Sequence, residues 1–335
     1  MRLCLCILCS LTLIFQANAQ SFELNVFDVG AGLCIGGVFP NEKVPEDPYY
    51  MVYDAGFGCI DHVALLIPQD QDIDLLVLSH NDSDHIATAD DILKAYRVLN
   101  ILWTGFERPG VQNWVDVNDA IENESGASVV NIRTDTPAIG STRILGETYL
   151  SFVAGFHVPP EEWGFAATQT SEYRNAGSIA MRITHKGKSI LLTGDMIGRH
   201  ENDDQPEYHI IAAEKYVMDN RFAVPINSDV LVASHHGGND ASSYPFIQAV
   251  SPEYVIFSAG SHDGYGHPRS AVAQRFLNSG VSLANIFRTD FGDDESKPEH
   301  WENESSITGH SDGTGDDNIL ITISDTGELK VNYTQ

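Results

Sequence analysis

The 335-residue chain reads as an α/β protein assembled from two related halves. Three observations carry that reading. Short apolar runs alternate with stretches of helical spacing along most of the chain. One such run, Asp74-Leu-Leu-Val-Leu-Ser-His80, is echoed by Asp229-Val-Leu-Val-Ala-Ser-His235. Each copy also follows another apolar run that ends in aspartate: Met51-Val-Tyr-Asp54 in the first half, Ile190-Leu-Leu-Thr-Gly-Asp195 in the second. Chance similarity of two short strands is the alternative, but shared order and shared polar ends favour a repeat.

The elements follow in order. Residues 1–19 have the composition of a cleaved signal peptide: Arg2, the apolar stretch Leu3 to Phe15, then the small-residue site Ala17-Asn18-Ala19. That stretch falls short of the roughly 20 apolar residues needed to span a bilayer, and no later segment reaches that length. The expectation is an exported chain, periplasmic or extracellular, with one functional domain over residues 22–335. Three cysteines (Cys4, Cys6, Cys9) leave with the leader. Cys34 and Cys59 remain, either as one disulfide or as two small buried apolar residues.

Strands are expected at Phe22 to Val29, Tyr49 to Asp54, Leu75 to Ser79 and Leu99 to Thr104, with Gly/Pro-rich sequence between the first two. Helical spacing marks Ala87 to Val98 and Val111 to Asn123. In the second half, Ser178 to Thr184 and Ser189 to Thr193 form a hairpin around Lys186-Gly187. Helices are expected at Glu207 to Met218, Tyr244 to Val250 and Ser270 to Leu277, and strands at Asp229 to Ala233 and Tyr254 to Ser258. Gly292 to Asp317 is polar and Gly-rich and reads as a loop. Ile319 to Tyr333 closes the chain as a hairpin turning at Asp325-Thr326-Gly327.

Hydrophobic content of 42% and charged content of 20% suit a globular protein with a substantial core. The formal net charge of -28 counts against avid non-specific nucleic-acid binding. It leaves room for a small anionic substrate, because bound divalent cations invert a local field. Oligomeric state is not written in the sequence.

The chemistry concentrates at the strand ends. His80, Asp82, Asp84 and His85 occupy six consecutive positions directly after an apolar strand. Clustered carboxylates repel one another unless a cation sits among them. Mixed imidazole and carboxylate donors suit zinc, manganese or iron better than calcium or magnesium. A helix cap at Asp82 or Ser83 would explain one residue but neither histidine. FDVGAG (27–32) contains a GxG but lacks the rest of a dinucleotide fingerprint.

HNDSDH at 80–85 resembles the HxHxDH signature of the metallo-β-lactamase superfamily, in an HxDxDH form. The surrounding motifs, FDVGAG, YDAG, LSHNDSDH, LLTGD, VASHHGG and YGHP, occur in the order found in the hydrolase domain of ComEC-type DNA-uptake proteins and their stand-alone relatives. The resemblance implies a four-layer αββα fold, two packed mixed β-sheets flanked by helices. It implies one or two divalent transition-metal ions, with zinc or manganese favoured. His80 and Asp82 would bind one ion, Asp84 and His85 a second, with Asp195 bridging and His235 completing the second site. Asp54 would support the metal loops without binding metal. His236 and His267 would stand at the rim, for substrate binding or as a general acid; with Asp84 they form the candidate catalytic set.

One departure stands out. Many members of the family carry a histidine just before the TGD hairpin, where this chain has Tyr173-Arg-Asn-Ala-Gly-Ser178. Asn175 and Ser178 then take supporting positions; His157, in GFHVPP, could in principle compensate, although a lone loop histidine is more often simply exposed. The resemblance implies a hydrolase using metal-bound hydroxide on a phosphodiester or phosphate ester, a nucleotide or short oligonucleotide included. The alternatives are a lactone or carboxylic ester hydrolase and a secreted binding protein with a degenerate metal site.

Overall fold

The computed structural model describes residues 21–165, 167–168, 170–200, 208–260, 266–290 and 317–334. The expected leader and nearly all of the 292–317 loop lie outside the described residues. The strands are β1 (Phe22–Val26), β2 (Cys34–Phe39), β3 (Tyr49–Ala55), β4 (Leu75–Leu78), β5 (Asn100–Trp103), β6 (Ser128–Asn131), β7 (Thr142–Leu145), β8 (Thr148–Ala154), β9 (Ala180–His185), β10 (Lys188–Leu192), β11 (Val230–Val232), β12 (Tyr254–Phe257), β13 (Ile286–Arg288), β14 (Asn318–Ile323) and β15 (Leu329–Thr334). They build two mixed sheets, ordered β15-β14-β1-β2-β3-β4-β5-β6 and β13-β12-β11-β10-β9-β8-β7. The helices are α1 (Cys59–Leu66), α2 (Ser83–Ile86), α3 (Ala89–Ala95), α4 (Gln112–Asn123), α5 (Ser171–Asn175), α6 (Ala212–Asn220), α7 (Tyr244–Val250) and α8 (Ser270–Asn278).

Side chains alternate across a strand, so each sheet needs two partners if both faces are apolar. The inner faces meet each other: Leu24, Met51 and Tyr53 of the first sheet share one core with Ile183, Ile190 and Val232 of the second. The outer face of the first sheet, with Val52, Leu76 and Leu78, is covered by α1, α3 and α4 through Val63, Ile92 and Val117. Leu191, Leu231 and Val255 of the second are covered by α6, α7 and α8 through Val217, Phe246 and Phe276. The result is the expected αββα layering. Burial on both faces is why Leu75–Leu78 reads as an unbroken apolar run.

The sequence echo has a structural counterpart. β3 pairs with β4 in parallel, and β10 with β11 in parallel. In the first pair Asp74 accepts the Tyr50 N–H at 2.8 Å; in the second Asp229 accepts the Ser189 N–H at 2.8 Å. The same aspartate ties down the same strand start in each half.

Three expectations change. The Gly/Pro-rich stretch after β1 contains the strand β2, whose Gly36-Gly37 pair replaces side chains for steric reasons. A Cβ on Gly36 would lie 2.6 Å from a Leu66 methyl, and one on Gly37 2.7 Å from the Phe39 ring. The single helix expected from Ala87 to Val98 is instead α2 and α3. Thr88 N–H donates to the Ala55 carbonyl at 3.0 Å and its hydroxyl to the Gly56 carbonyl at 3.0 Å, which breaks the helix between them. Tyr96 is already extended and Val98 bridges to Ile73. The helix expected from Glu207 begins at Ala212 and runs to Asn220.

Cys34 and Cys59 form a disulfide, with Cα atoms 5.6 Å apart across 25 residues of sequence. It fastens the start of β2 to the start of α1, directly behind Asp54. Closing a loop of this size contributes about 3 kcal/mol. The double substitution Cys34→Ser, Cys59→Ser is expected to lower unfolding stability by about 2–4 kcal/mol in urea titrations. An unchanged unfolding midpoint would contradict this placement.

Candidate metal centre

The site is built around strand ends. β3 finishes at Asp54, which is fully buried and holds a left-handed backbone at φ 58°. A non-glycine residue rarely takes that conformation without compensation. Here the compensation is the use of both carboxylate oxygens. Oδ1 accepts the Ser79 N–H at 2.6 Å; Oδ2 accepts the Ser79 hydroxyl at 2.7 Å and lies 2.8 Å from His85 Nδ1. The turn after it needs Gly56, since a Cβ there would sit 2.3 Å from the Asp84 carbonyl oxygen. Two motifs distant in sequence thus clamp the HNDSDH loop.

The second half supplies its share by similar means. Asp195 follows β10, its backbone N–H donating to the Ser178 hydroxyl at 3.1 Å. Beyond β11, His235 and His236 both have positive φ, 50° and 52°, which turns two consecutive imidazoles toward the same cavity. The cavity holds about 420 Å³ and is lined by Asp84, Asn175, Asp195, His235, His236 and His267 among others.

Each of the four imidazoles is oriented through Nδ1. His85 donates to Asp54, His235 to Asp240 at 2.7 Å, and His236 to the Ser258 carbonyl at 2.7 Å; His80 Nδ1 lies 3.1 Å from the Ser79 hydroxyl. Fixing Nδ1 as the donor leaves Nε2 as a lone pair, the arrangement that metal-binding histidines adopt. All four Nε2 atoms face Asp195. Its Oδ1 is 3.1 Å from His85 Nε2 and 3.6 Å from His236 Nε2; its Oδ2 is 3.7 Å from His80 Nε2 and 3.9 Å from His235 Nε2. Asp84 Oδ2 joins the Oδ1 side, 3.6 Å from His236 Nε2 and 3.9 Å from His85 Nε2.

This donor set fits a cation. Ligand atoms of Asp84, His85, Asp195 and His236 all lie within 4.8 Å of one another. His85 Nε2 and His236 Nε2 face each other at 3.2 Å, a contact between two lone pairs once both Nδ1 atoms carry protons. On the Oδ2 side, His80 Nε2 and the Asn175 side-chain oxygen are buried without a hydrogen-bond partner among the described residues. Without a cation the charges must compensate internally. Burial lowers the His85 pKa, but Asp195, Asp54 and Asp84 raise it well above the usual histidine value. Burial raises the Asp195 pKa, and His85, His236 and His235 outweigh it, holding that carboxyl well below its usual range. Burial, with His85 next, pushes His80 down. Burial also lowers His235, yet Asp240 and Asp195 take it up to about 10.

The expected residues therefore divide. His80, Asp84, His85, Asp195 and His235 converge, with His235 beside His80 on the Oδ2 side and not beside Asp84. His236, expected at the rim, lies inside the cluster. Asp82 stands apart, its carboxylate held by Arg108 and Arg174. Asn175 Nδ2 is 3.2 Å from His235 Nε2 and Ser178 supports Asp195, while Asp54 braces the loop. His267 lines the cavity with its ring 5.0 Å from that of His235, and burial followed by His235 and His236 lowers it to about 3. His157 turns away, its Nδ1 3.1 Å from the Thr104 carbonyl. Sequence reasoning missed Asp240, Arg108, Arg174 and Glu214. Asp240, five residues after His235, carries the one local signal that could have been read.

The sequence pattern of the metallo-beta-lactamase superfamily matches residues 48–262, and the chain belongs to that superfamily. Among curated proteins it is similar to competence protein ComA of Neisseria gonorrhoeae, 34% identical over 116 residues, covering 35% of this chain and 14% of that protein. It is also similar to ComE operon protein 3 of Bacillus subtilis, 26% identical over 224 residues, covering 65% of this chain and 24% of the relative. The chain thus spans a quarter or less of either relative's length. Among solved structures, the metallo-beta-lactamase fold protein YhfI of Bacillus subtilis superposes with a TM-score of 0.48 at 12% identity, covering 80% of this chain and 96% of that one.

Glu214 gives the site a pH-sensitive support. It is fully buried on α6 and accepts the Ser242 and Ser243 N–H groups, the latter at 3.0 Å, in the loop that carries Asp240. Burial raises its carboxyl from 4.5 to about 7 despite those bonds. A carboxyl with a raised folded-state pKa costs stability as pH climbs from its unfolded value through its folded value. From pH 4.5 to about 7 the loss approaches about 3 kcal/mol. Glu214→Gln is expected to remove that slope in pH-dependent urea unfolding; identical slopes in both proteins would count against it.

Proposed function

We propose that this chain is a metal-dependent hydrolase of small anionic esters, with a phosphodiester or phosphate ester as the favoured substrate. One observation carries the reading: four imidazoles, three of them buried and His235 partly so, are each held through Nδ1 and present Nε2 to the two oxygens of one carboxylate. That arrangement is costly for a purely structural cluster and suited to one or two divalent ions, for which zinc and manganese match the donors. When bound, such a cation supplies a nucleophilic water near neutral pH and polarises a phosphoryl or carbonyl oxygen.

The chain's own residues do the rest. Asp54 and Asp240 hold His85 and His235 in the tautomer that offers Nε2 inward. Asp84, the ligand most open to the cavity, is also the carboxylate nearest an incoming substrate. His267, kept neutral by burial, orients the substrate through hydrogen bonds, and the leaving group takes its proton from water. The motif order shared with the hydrolase domain of ComEC-type DNA-uptake proteins favours a phosphodiester over a lactone or other carboxylic ester. A second reading, a binding protein with a partial site, rests on Asn175 standing next to His235 where related proteins carry a histidine. Export to a periplasmic or extracellular setting is part of the proposal, supported by the leader-like residues 1–19 and the Cys34–Cys59 disulfide. Among the described residues no helix is long and apolar enough to cross a membrane.

Protein purified from its native compartment is expected to hold one or two equivalents of a transition metal and to hydrolyse bis(p-nitrophenyl) phosphate. A chelator should abolish turnover, and added zinc or manganese should restore it. Asp84→Ala and Asp195→Ala should each lower kcat/KM by roughly a thousandfold, about 4 kcal/mol of transition-state stabilisation. Folded, metal-free protein inactive toward every ester would support the binding-protein reading instead.

A further inference from the structure

In a chain with 19 basic and 47 acidic residues, the cavity wall carries two arginines and, among the described residues, no lysine. Arg108 comes from the loop after β5 and Arg174 from α5, and both converge on Asp82. Arg108 Nη1 donates to Asp82 Oδ1 at 2.8 Å and to the Asn81 carbonyl at 2.7 Å. Arg174 grips the same carboxylate from the other side, through Nε to Oδ1 and Nη2 to Oδ2 at 3.0 Å. All three side chains are mostly buried, at 18%, 10% and 14% exposure for Arg108, Arg174 and Asp82, yet all three reach the cavity. Two guanidiniums on one carboxylate leave a local charge of +1. Among the described residues Arg108 donates only through Nη1, so its Nη2 and Nε remain available to a ligand.

We propose that Arg108 and Arg174, braced by Asp82, form the anion-recognition wall of this cavity and receive a phosphoryl oxygen of the substrate. Asp82 on this account anchors the arginines and takes no part in metal binding. The proposal rests on the hydrolase reading only for the identity of the anion as an ester phosphate. Guanidinium is suited to the task because its planar fork pairs with phosphate oxygens at two points, which lysine cannot do. The charge balance of the wall explains why a strongly acidic protein needs the pair. The lining carries five carboxylates (Asp82, Asp84, Glu172, Asp195, Asp240) against these two guanidiniums, a formal -3. One divalent cation reduces this to -1 and two reverse it to +1. Without the arginines, even a two-metal site would present a net negative wall to a phosphate.

The test is calorimetric titration of inorganic phosphate into the metal-loaded protein, with metal content and melting temperature measured on each variant. Arg108→Gln and Arg174→Gln should each weaken phosphate binding roughly tenfold or more, with Arg108→Lys intermediate, while metal content stays at the wild-type level. Asp82→Asn should keep its metal and bind phosphate at least as tightly. The proposal is overturned if wild type binds no phosphate or if the glutamine variants bind it within twofold of wild type. It is equally overturned if Asp82→Asn loses metal. Should Arg174→Gln fail to fold, Arg108→Gln and Arg108→Lys decide alone. Arginine-dependent phosphate binding without any ester hydrolysis would sink the hydrolase reading and spare this one. Ester hydrolysis with arginine-independent phosphate binding would do the reverse.

Discussion

Two oxygens of one buried carboxylate, Asp195, face four imidazole nitrogens, and the surrounding structure is arranged to keep them there. A buried carboxylate is tolerated only when its charge is met, here by imidazoles that carry the compensating protons without a cation and could offer lone pairs to one. This single requirement accounts for the strained backbone at Asp54, His235 and His236, for the close approach at Gly56, and for the buried supports Ser178 and Asp240. Strain of this kind persists where the surroundings over-determine it, and here it is spent on aiming ligands.

The fold makes that convergence possible. Two parallel strand pairs, β3–β4 and β10–β11, end at the same edge of the sandwich, one from each half. Each pair delivers an aspartate and a histidine, and Tyr53 and Ile179 join the two sheets beside them through a hydrogen bond of 2.6 Å from the tyrosine hydroxyl to the isoleucine carbonyl. Ile179 N–H in turn donates to the Ser79 carbonyl at 2.8 Å, tying the first metal loop to the second half. The cluster draws its residues from both halves of the chain, so neither half assembles it without the other. The inter-sheet core that presses the halves together thereby sets the ligand geometry.

Much of this was legible in the sequence, for physical reasons that can be stated. The apolar runs at Leu75–Leu78 and Val230–Val232 show because central strands are buried on both faces. The site residues show because imidazoles and carboxylates cluster at two strand ends, although Asp82 there serves the arginines instead. The break at Thr88 did not show, because it depends on hydrogen bonds to β3 that helical spacing does not encode. β2 was hidden by Gly36 and Gly37, which look like turn residues and are in fact steric accommodations. The assignment of His235 and His236 to opposite oxygens of Asp195 turns on two positive φ angles. The diversion of Asp82 depends on Arg108 and Arg174, 26 and 92 residues away in sequence.

A cation among Asp84, His85, Asp195 and His236 would leave Asp82 outside its coordination. The most direct measurement is anomalous X-ray diffraction from crystals of the protein loaded with manganese. A peak is expected between Asp84 Oδ2, His85 Nε2, Asp195 Oδ1 and His236 Nε2, with the Asp82 carboxylate still on the two arginines. No peak at that position, or a peak coordinated by Asp82 with the arginines displaced, would contradict it.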